Sequence, residues 1–319
     1  MANLTLLELA KRLDPDGSPA AIANVLTADN PILQDAPWAR ANDIFSNKVT
    51  RVAALPAGAW RKLNEGYATV KALTVEAVDT IGFLGAYSEI DKALADASPN
   101  PRQFRMNEAE LIIEGISQTL ATAIFYGNSA TPTPESMTGI APRVASLNTA
   151  GQVLDGGGST NLTSIYIVQW GLGKVFMVYP RNMEKTVGIS HRDLGEVTLE
   201  DAAGAYYQGY RDMFEIRCGL SVRDERCLGR IANIDSTGGT YAVDEDDLIT
   251  LLNRMPQSGA GATIYMNGAL KTQMEIILKD KSNVNWTLTQ GIEGVPIMRF
   301  RGVPVKKCDA ILNTETVLT

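Results

Sequence analysis

The sequence predicts a mixed α+β fold, and three observations support that prediction. One long helical segment carries its own start and stop residues, several short runs have the character of β-strands, and the helices and strands follow one another in irregular order. A regular alternation of strand and helix, which would indicate a doubly wound parallel sheet, is missing. With 319 residues, 45% of them apolar and 20% charged, the chain is long enough for one large globular domain or two ordinary ones.

The long helical segment is predicted at residues 101–126. Asn100 can cap its first turn, Pro101 suits the first helical position, and Gly127 can end it in a left-handed conformation. Gly115 interrupts the helix at a cost of about 1 kcal/mol relative to alanine. From this segment alone a plain core helix is the favoured interpretation, and a helix that lies across something extended is the alternative. Apolar residues at helical spacing form a broad stripe: Leu111, Ile112, Ile113, Ile116, Leu120, Ala123, Ile124 and Phe125.

Residues 1–45 are predicted to be an arm. Two short helices, at 5–13 and 18–29, precede a proline-bearing extended segment that contains Trp38. These pieces are too small to bury their own apolar faces. We therefore expect the arm to pack against something else.

Residues 46–75 are predicted to form a basic hairpin. Two plausible strands, 50–55 and 67–75, flank turn signals at 56–58 and 64–66. Five basic residues here face only Glu65, whereas residues 76–96 carry five acidic residues against Lys92 alone. This contrast indicates docking between copies of the chain, although a solvated hairpin without a partner would show the same charges. Because an isolated hairpin is only marginally stable, docking is the favoured interpretation.

That interpretation gives two sets of candidate contact residues. The hairpin residues predicted to contact another copy are Lys48, Arg51, Trp60, Arg61, Lys62 and Lys71. The predicted acceptor surface on that copy is formed by Glu76, Asp79, Glu89, Asp91 and Asp96.

The remaining elements are predicted from local signals. Residues 206–234 alternate as strands, with Gly219 and Gly229 as bends, and the acidic first turn of 244–254 suits the positive end of a helix dipole. The other predicted helices are 88–97 and 268–279, and the other predicted strands are 164–170, 174–179, 262–266, 297–300 and 303–307.

A search for chemistry predicts no catalytic, cofactor-binding or metal-binding residues. The single histidine, His191, lies in a predicted loop without the spacing of a triad or a zinc site. The glycine-rich run at 156–160 is similar to phosphate-binding loops, but no lysine follows it and it precedes a strand, so a flexible surface loop is the better interpretation. The acidic run at 244–247 lacks the glycine and distal glutamate of a calcium loop.

Charge, hydropathy and cysteine usage exclude further classes. A net charge of −7 argues against a sequence-reading nucleic-acid binder. The sequence has no apolar run of membrane-spanning length and no secretory signal, so no membrane partner is predicted. Cys218, Cys227 and Cys308 are expected to be reduced structural thiols of a protein made in the cytoplasm.

The order of several short motifs is more specific than any one of them. The basic hairpin ends in the segment WRKLNEG at 60–66, a short acidic segment follows, and the long helix ends in FYGN at 125–128. Further motifs lie at 162–168, 230–235, 265–267 and 300–305. In this order the chain resembles, over nearly its whole length, the major capsid proteins of tailed bacteriophages, in particular a short-chain group from short-tailed, podovirus-type phages.

The resemblance implies a Hong Kong 97-like capsid fold with defined parts. Residues 1–45 would be the N-terminal arm and 46–75 the extended loop that reaches over a neighbouring copy. Residues 76–230 would be mainly the peripheral domain, with a spine helix at 101–126, and 231–319 mainly the axial domain with closing strands.

The function that the resemblance implies is structural, not enzymatic. Copies of the chain would form the hexamers and pentamers of an icosahedral head that encloses double-stranded DNA without sequence-specific binding. The protein would be made in the bacterial host cytoplasm and reside in the virion. Its other partners would be a portal protein, a decoration protein where one binds, and a separate scaffolding protein, expected because only about 45 residues precede the loop, too few for a fused helical scaffold.

Two alternatives remain open at this point. An encapsulin-type nanocompartment shell would share the fold but enclose enzyme cargo, and the neighbouring genes would distinguish the two. A cytoplasmic hydrolase that uses the 156–160 loop would belong to another class, and a stable monomer or dimer with nucleotide affinity would favour it.

Overall fold

The structure is a computed structural model of the chain, and it describes residues 29–98, 100–130, 136–148, 151–183, 188–201, 203–280, 286–290 and 296–319. The two short helices predicted for the N-terminal arm lie outside the described residues. The helices are α1 (Ile32–Asp35), α2 (Lys92–Ala97), α3 (Pro101–Tyr126), α4 (Glu245–Arg254) and α5 (Gly268–Asp280). None of the described helices is both long and apolar enough to cross a membrane.

The strands are numbered β1 to β14 in chain order. The first seven are β1 (Trp38–Arg40), β2 (Ser46–Ala54), β3 (Leu73–Thr80), β4 (Gly82–Asp91), β5 (Val153–Asp155), β6 (Leu162–Gln169) and β7 (Val175–Tyr179). The next seven are β8 (Ser190–Glu200), β9 (Tyr206–Val222), β10 (Leu228–Asp235), β11 (Ala262–Met266), β12 (Trp286–Gln290), β13 (Pro296–Phe300) and β14 (Val303–Lys307).

The long helix α3 has the predicted bounds, but it ends by a different mechanism. The Asn100 side chain accepts a hydrogen bond from the Gln103 N–H at 3.2 Å, as expected for a cap. Gly127 is not left-handed, with φ −54° and ψ 140°, so that part of the prediction is wrong. Glycine is required there because a Cβ atom would lie 2.5 Å from the Ala123 carbonyl oxygen.

Gly115, in the middle of α3, has no such requirement in the part of the chain that the structure describes. A Cβ atom at this position would meet no atom within 4 Å. Gly115→Ala is therefore expected to raise the free energy of unfolding of the subunit by about 1 kcal/mol, the helix-propensity difference. Denaturant unfolding of the isolated subunit measures this. Gly139→Ala is the contrasting variant and should destabilise, because its Cβ would lie 2.7 Å from two carbonyl oxygens of α3. Equal effects of both changes would contradict the expectation.

The longest strand, β9, organises a five-stranded sheet. It pairs antiparallel with β4 along one edge, from Gly82↔Cys218 to Asp91↔Gly209, while β8 and then β7 pair with its other edge. The short strand β1 adds to β7 in parallel. One face of this sheet packs against α3, so that helix and sheet enclose a common core.

A seven-stranded sheet has the order β12-β13-β14-β11-β6-β10-β5. Strand β6, which lies between β11 and β10, is buried on both faces, because Tyr166 and Val168 enter the core shared with α3, whereas Ile165 and Ile167 enter a second core beneath α4 and α5. This sheet therefore joins the two cores. The strands β2 and β3 form a separate two-stranded sheet.

Several local predictions are confirmed and others are wrong. The helices at 244–254 and 268–279 and the strands at 262–266, 297–300 and 303–307 are present, within one residue of their predicted bounds. The predicted strands 164–170 and 174–179 exist as β6 and β7 but belong to different sheets.

The predicted helix at 88–97 begins only at Lys92. Residues 88–91 continue the β4–β9 ladder, and long-range pairing therefore overrides the local helix signal. Gly219 and Gly229 are not bends: both lie inside strands, where the backbone of Thr80 and the side chain of Leu251 approach them closely.

Candidate assembly surface: the exposed hairpin

The two strands β2 and β3 form a hairpin that projects from the body. Their ladder runs from Ser46↔Thr80 to Ala54↔Leu73. Beyond it, residues 55–72 are without helix or strand, and every one of them is exposed. The sequence predicted a hairpin here correctly, but it placed the strands too near the tip.

Many apolar side chains of the hairpin are exposed to solvent. Trp60 is fully exposed, and eight further apolar residues of the hairpin expose more than half of their surface: Val52, Leu55, Leu63, Tyr67, Val70, Leu73, Val75 and Val78. Burying one such side chain contributes about 1.5–3 kcal/mol, and many large apolar side chains exposed on one element indicate an interaction site. Sequence reasoning identified Trp60 and the basic residues but not the aliphatic members, whose exposure depends on the ladder ending at Ala54.

A buried polar network fixes the base of the hairpin. The Asp79 carboxylate, only 2% exposed, lies 2.8 Å from the Arg143 guanidinium and accepts a hydrogen bond of 2.9 Å from the Ser221 hydroxyl. The Asn47 amide donates to the same hydroxyl at 2.9 Å. Asp79 is therefore not part of an exposed acceptor surface, and that prediction is wrong: its charge is neutralised inside its own subunit.

Two of the predicted contact residues lie close to carboxylates of their own chain. Arg51 forms an ion pair with Glu225 and donates to the Val222 carbonyl oxygen, which ties β2 to the turn that follows β9. Lys48 lies 3.7 Å from Glu76 across the hairpin, and both side chains are exposed, so this pair contributes little to stability. Arg51 thus orients the hairpin from within the subunit.

The basic residues of the tip remain accessible. The Arg61 guanidinium lies 5.1 Å from the centre of the Tyr67 ring and donates to the Glu65 carbonyl oxygen at 3.0 Å. Lys62 and Lys71 are exposed. The tip therefore presents positive charge and apolar surface together.

The other predicted acceptor residues lie along β4 and α2. Glu89 forms an ion pair of 2.6 Å with Arg211 on β9. Asp91 caps α2 by accepting from the Ala93 N–H at 2.8 Å, and Asp96 is exposed near the other end of that helix. With Glu76 in the hairpin itself, these residues do not form one cluster around a single point.

The single histidine, His191, lies in β8, not in the predicted loop. It belongs to a group of polar contacts that joins α3 to the five-stranded sheet. Its Nε2 is 2.9 Å from the Asp212 carboxylate, and its ring stacks on Phe214. Arg105 of α3 binds Asp212 at 2.9 Å and Asp193 at 2.8 Å, and its hydrogen bond lowers the pKa of Asp193. These contacts account for the histidine structurally.

The glycine-rich loop at 156–160 is bound to β10 through its backbone. The Gly156 N–H donates to the Ala232 carbonyl oxygen at 2.7 Å, and the Gly158 N–H donates to the Asn233 carbonyl oxygen at 2.8 Å. A phosphate-binding loop needs such N–H groups directed at the ligand. The geometry therefore argues against the hydrolase alternative.

All three cysteines are buried free thiols, as predicted. Burial raises the pKa of Cys218 and of Cys308 to about 12 in each case. Because the thiolate is the reactive form, these side chains are inert core residues.

The fold and the hairpin together define the class of this protein. It has two large cores and an anchored hairpin whose apolar side chains are left uncovered by the described part of the chain, which are the features of a subunit built to assemble with copies of itself. The class is the shell-forming subunit with the Hong Kong 97-like capsid fold.

Comparison with known proteins gives the family. The family model described as "Major capsid protein GP7" matches residues 14–319, and the chain belongs to this family. The structure of bacteriophage Epsilon15 contains a chain of 30% identity that superposes with a TM-score of 0.76, over 100% of this chain and 98% of that one. The protein is thus a phage capsid protein that assembles into a shell and resides in the virion.

A more distant likeness shows the fold alone. The SrpI encapsulin from Synechococcus elongatus is 12% identical, with a TM-score of 0.50 over 75% of this chain and 100% of that one. Comparison with curated protein sequences gave no match.

Proposed function

We propose that this protein forms the hexamers and pentamers of an icosahedral head that encloses double-stranded DNA, and that the β2–β3 hairpin of each copy lies on the neighbouring copy. One observation carries the proposal: residues 55–72 expose Trp60 and Leu63 at the end of an anchored ladder. An anchored hairpin covers a fixed position on the next subunit, and this contact is heterologous, so repetition closes into rings. Each contact can be modest, because many act together.

The domain division extends the proposal. Residues 1–45 act as the arm, 46–75 as the extended loop, 76–230 mainly as the peripheral domain with α3 as its spine, and 231–319 mainly as the axial domain with the closing strands. The two cores support this division, since one centres on α3 and the other on α4 and α5. Because β6 contributes to both cores, the boundary between the domains is not a simple cut in the sequence.

A charge-reversal variant tests the hairpin contact. Arg61→Glu with Lys62→Glu should lower the yield of assembled particles while leaving the subunit folded, because both residues are exposed at the tip and the segment expected to receive them, residues 76–96, carries five acidic residues against one lysine. Particle yield by sedimentation, together with thermal unfolding of the subunit, measures both effects.

The matched control keeps the charge and exchanges the residues, as Arg61→Lys with Lys62→Arg, and it should assemble normally. Normal particle yield from the glutamate variant would remove the electrostatic part of this proposal.

The partners beyond the shell itself are also proposals. A separate scaffolding protein guides assembly, a portal protein occupies one vertex, a decoration protein binds where one exists, and the subunits are made in the bacterial host cytoplasm. The net charge of −7 suits a container, because a strongly basic inner wall would hold the DNA by counterion release. Electron microscopy of the protein expressed alone tests the scaffold, since uniform shells of native size would show that none is needed.

A further inference from the structure

The glycine-rich loop at 156–160 lies against an irregular point of β10. There the β6–β10 ladder shifts register between Ile231 and Ile234, and the buried Asn233 takes a left-handed φ of 56°. A Cβ atom at Gly158 would lie 2.7 Å from the Asn233 carbonyl oxygen, so glycine is what lets the backbone of the loop approach this bulge so closely. The loop and the bulge therefore form one structural unit.

The bulge directs the Asn233 side chain at the backbone of another segment. Its Oδ1 accepts from the Leu318 N–H at 2.8 Å, and its Nδ2 donates to the Leu318 carbonyl oxygen at 2.9 Å. The same Nδ2 donates to the Asp155 carboxylate at 2.8 Å, and the Gly157 N–H donates to that carboxylate at 3.0 Å. The amide thus binds a peptide backbone much as a neighbouring β-strand would, and the loop holds the amide in place.

A charged pocket on the same strand receives Glu315. Its cation, Arg230, has further contacts in the body of the subunit: it donates to the Ser164 hydroxyl at 3.0 Å and to the Val144 carbonyl oxygen at 3.3 Å, and it lies 5.3 Å from the centre of the Tyr166 ring. These contacts do not involve Glu315. The pocket is therefore formed before Glu315 enters it, which lowers the entropic cost of binding.

The C-terminal segment, residues 312–319, contacts the body at few points. Leu312 and Val317 are 45% and 52% exposed, and within this segment only Glu315 and Leu318 are not exposed. A segment with so few buried side chains has a lower local stability than a core strand, because little has to be unpacked when it detaches.

We infer that the glycine-rich loop, the bulge of β10 and the Arg230 pocket form a binding site for a peptide segment, and that the C-terminal segment occupies this site as a latch. The latch opens and closes as one unit while the two cores stay folded. When closed, it links the end of α3 to the seven-stranded sheet, because the Tyr126 hydroxyl binds Glu315 at 2.5 Å and Glu315 pairs with Arg230. The latch does not depend on the contact proposed between the hairpin and a neighbouring copy.

Amide hydrogen exchange of the full-length isolated subunit, resolved to single residues, tests the latch. Three N–H groups of the segment report on it: that of Leu312, bonded to the Tyr126 hydroxyl at 3.1 Å, that of Glu315, bonded to the Leu162 carbonyl oxygen at 2.9 Å, and that of Leu318. We expect all three to exchange through one common opening. This opening should be more frequent than that of the N–H groups of β6, which should exchange only through global unfolding.

Asn233→Gly removes the amide but keeps a residue that accepts the left-handed conformation. All three N–H groups should then exchange at least about tenfold faster, because two hydrogen bonds to the segment are lost. The rise at Leu312 and Glu315 is decisive, since the substitution does not touch their own hydrogen bonds. Asn64→Gly is the matched control, because Asn64 is also left-handed, with φ 67°, but is exposed in the hairpin.

Gly158→Ala is a second, independent variant, because its methyl group would press against the bulge. It should also speed the exchange of all three N–H groups. A rise confined to Leu318 in Asn233→Gly, or exchange of the three groups only through global unfolding in the unaltered subunit, would overturn the latch. Unchanged exchange in Gly158→Ala would overturn the part assigned to the glycine-rich loop.

Discussion

Deletion of residues 55–72, with Ala54 joined to Leu73 through an Asn-Gly turn, is expected to give a folded subunit that no longer assembles. Every deleted residue is exposed, and the ladder from Ser46↔Thr80 to Ala54↔Leu73 remains to be closed by a turn suited to two strands. Among the described residues the subunit therefore loses no buried side chain, whereas the shell loses the apolar tip. Each apolar side chain that is no longer buried between copies removes about 1.5–3 kcal/mol of stabilisation. The summed loss exceeds the free energy that a modest contact between two copies provides.

Sedimentation and electron microscopy measure the assembly, and denaturant unfolding measures the subunit. Gly58→Ala is the matched control, because an added methyl group at that exposed position meets no atom within 4 Å. Shells from the deletion variant at the yield of the control would contradict the role of the hairpin. An unfolded deletion variant would show instead that the tip stabilises its own subunit.

Glu315→Ala is expected to lower the free energy of unfolding of the subunit by about 3–5 kcal/mol, the usual cost of leaving one member of a buried ion pair alone. The side chains of Glu315 and Arg230 are only 5% and 7% exposed and lie 2.8 Å apart. The same carboxylate accepts hydrogen bonds from Tyr126 at 2.5 Å, from Tyr166 at 3.1 Å and from Ser164. It thereby ties the C-terminal segment to the end of α3 and to the seven-stranded sheet.

Denaturant unfolding of the variant measures this effect, with two comparisons. Glu275→Ala removes an exposed carboxylate that lies 3.8 Å from Lys271, and it should cost less than about 1 kcal/mol. Glu315→Gln keeps the size of the side chain but not its charge and should fall between the two. An equal, small effect for Glu315→Ala and Glu275→Ala would show that the network does not hold the C-terminal segment.

Elements with strong local signals were predictable from the sequence. Asn100 and Pro101 define the start of α3, and the acidic first turn from Asp244 defines the start of α4. The capsid family was predictable as well, because the order of several weak motifs is more specific than each motif alone. That resemblance is confirmed by the family match over residues 14–319.

Features that depend on distant partners were not predictable. Residues 88–91 have a helix signal but complete a strand, because β9 pairs with them from more than 100 residues away. Asp79 is a charged residue, a type that is usually exposed. Its burial is possible because Arg143 and Ser221 bind its carboxylate. The pairing of Glu315 with Arg230 joins residues 85 positions apart and leaves no local pattern.

The hairpin shows both sides of this limit. Its composition predicted a basic element that docks on another copy. The positions of its strands were not predictable in the same way, and the strands predicted at 50–55 and 67–75 lie too close to the tip. The position of the ladder is set instead at the base of the hairpin, where Asn47 and Asp79 are hydrogen-bonded to Ser221 of β9. Of the two predicted strands, residues 50–54 and 73–75 lie in β2 and β3, and the other seven residues belong to the exposed tip.

A reconstruction of the assembled shell by electron cryo-microscopy, at a resolution that reveals side chains, tests the central claim most directly. The position of Trp60 is the quantity to read. We expect its indole ring to be buried against a neighbouring copy, with residues 55–72 extended across that copy. An indole ring packed against the body of its own subunit, or left in solvent in the finished shell, would contradict the account.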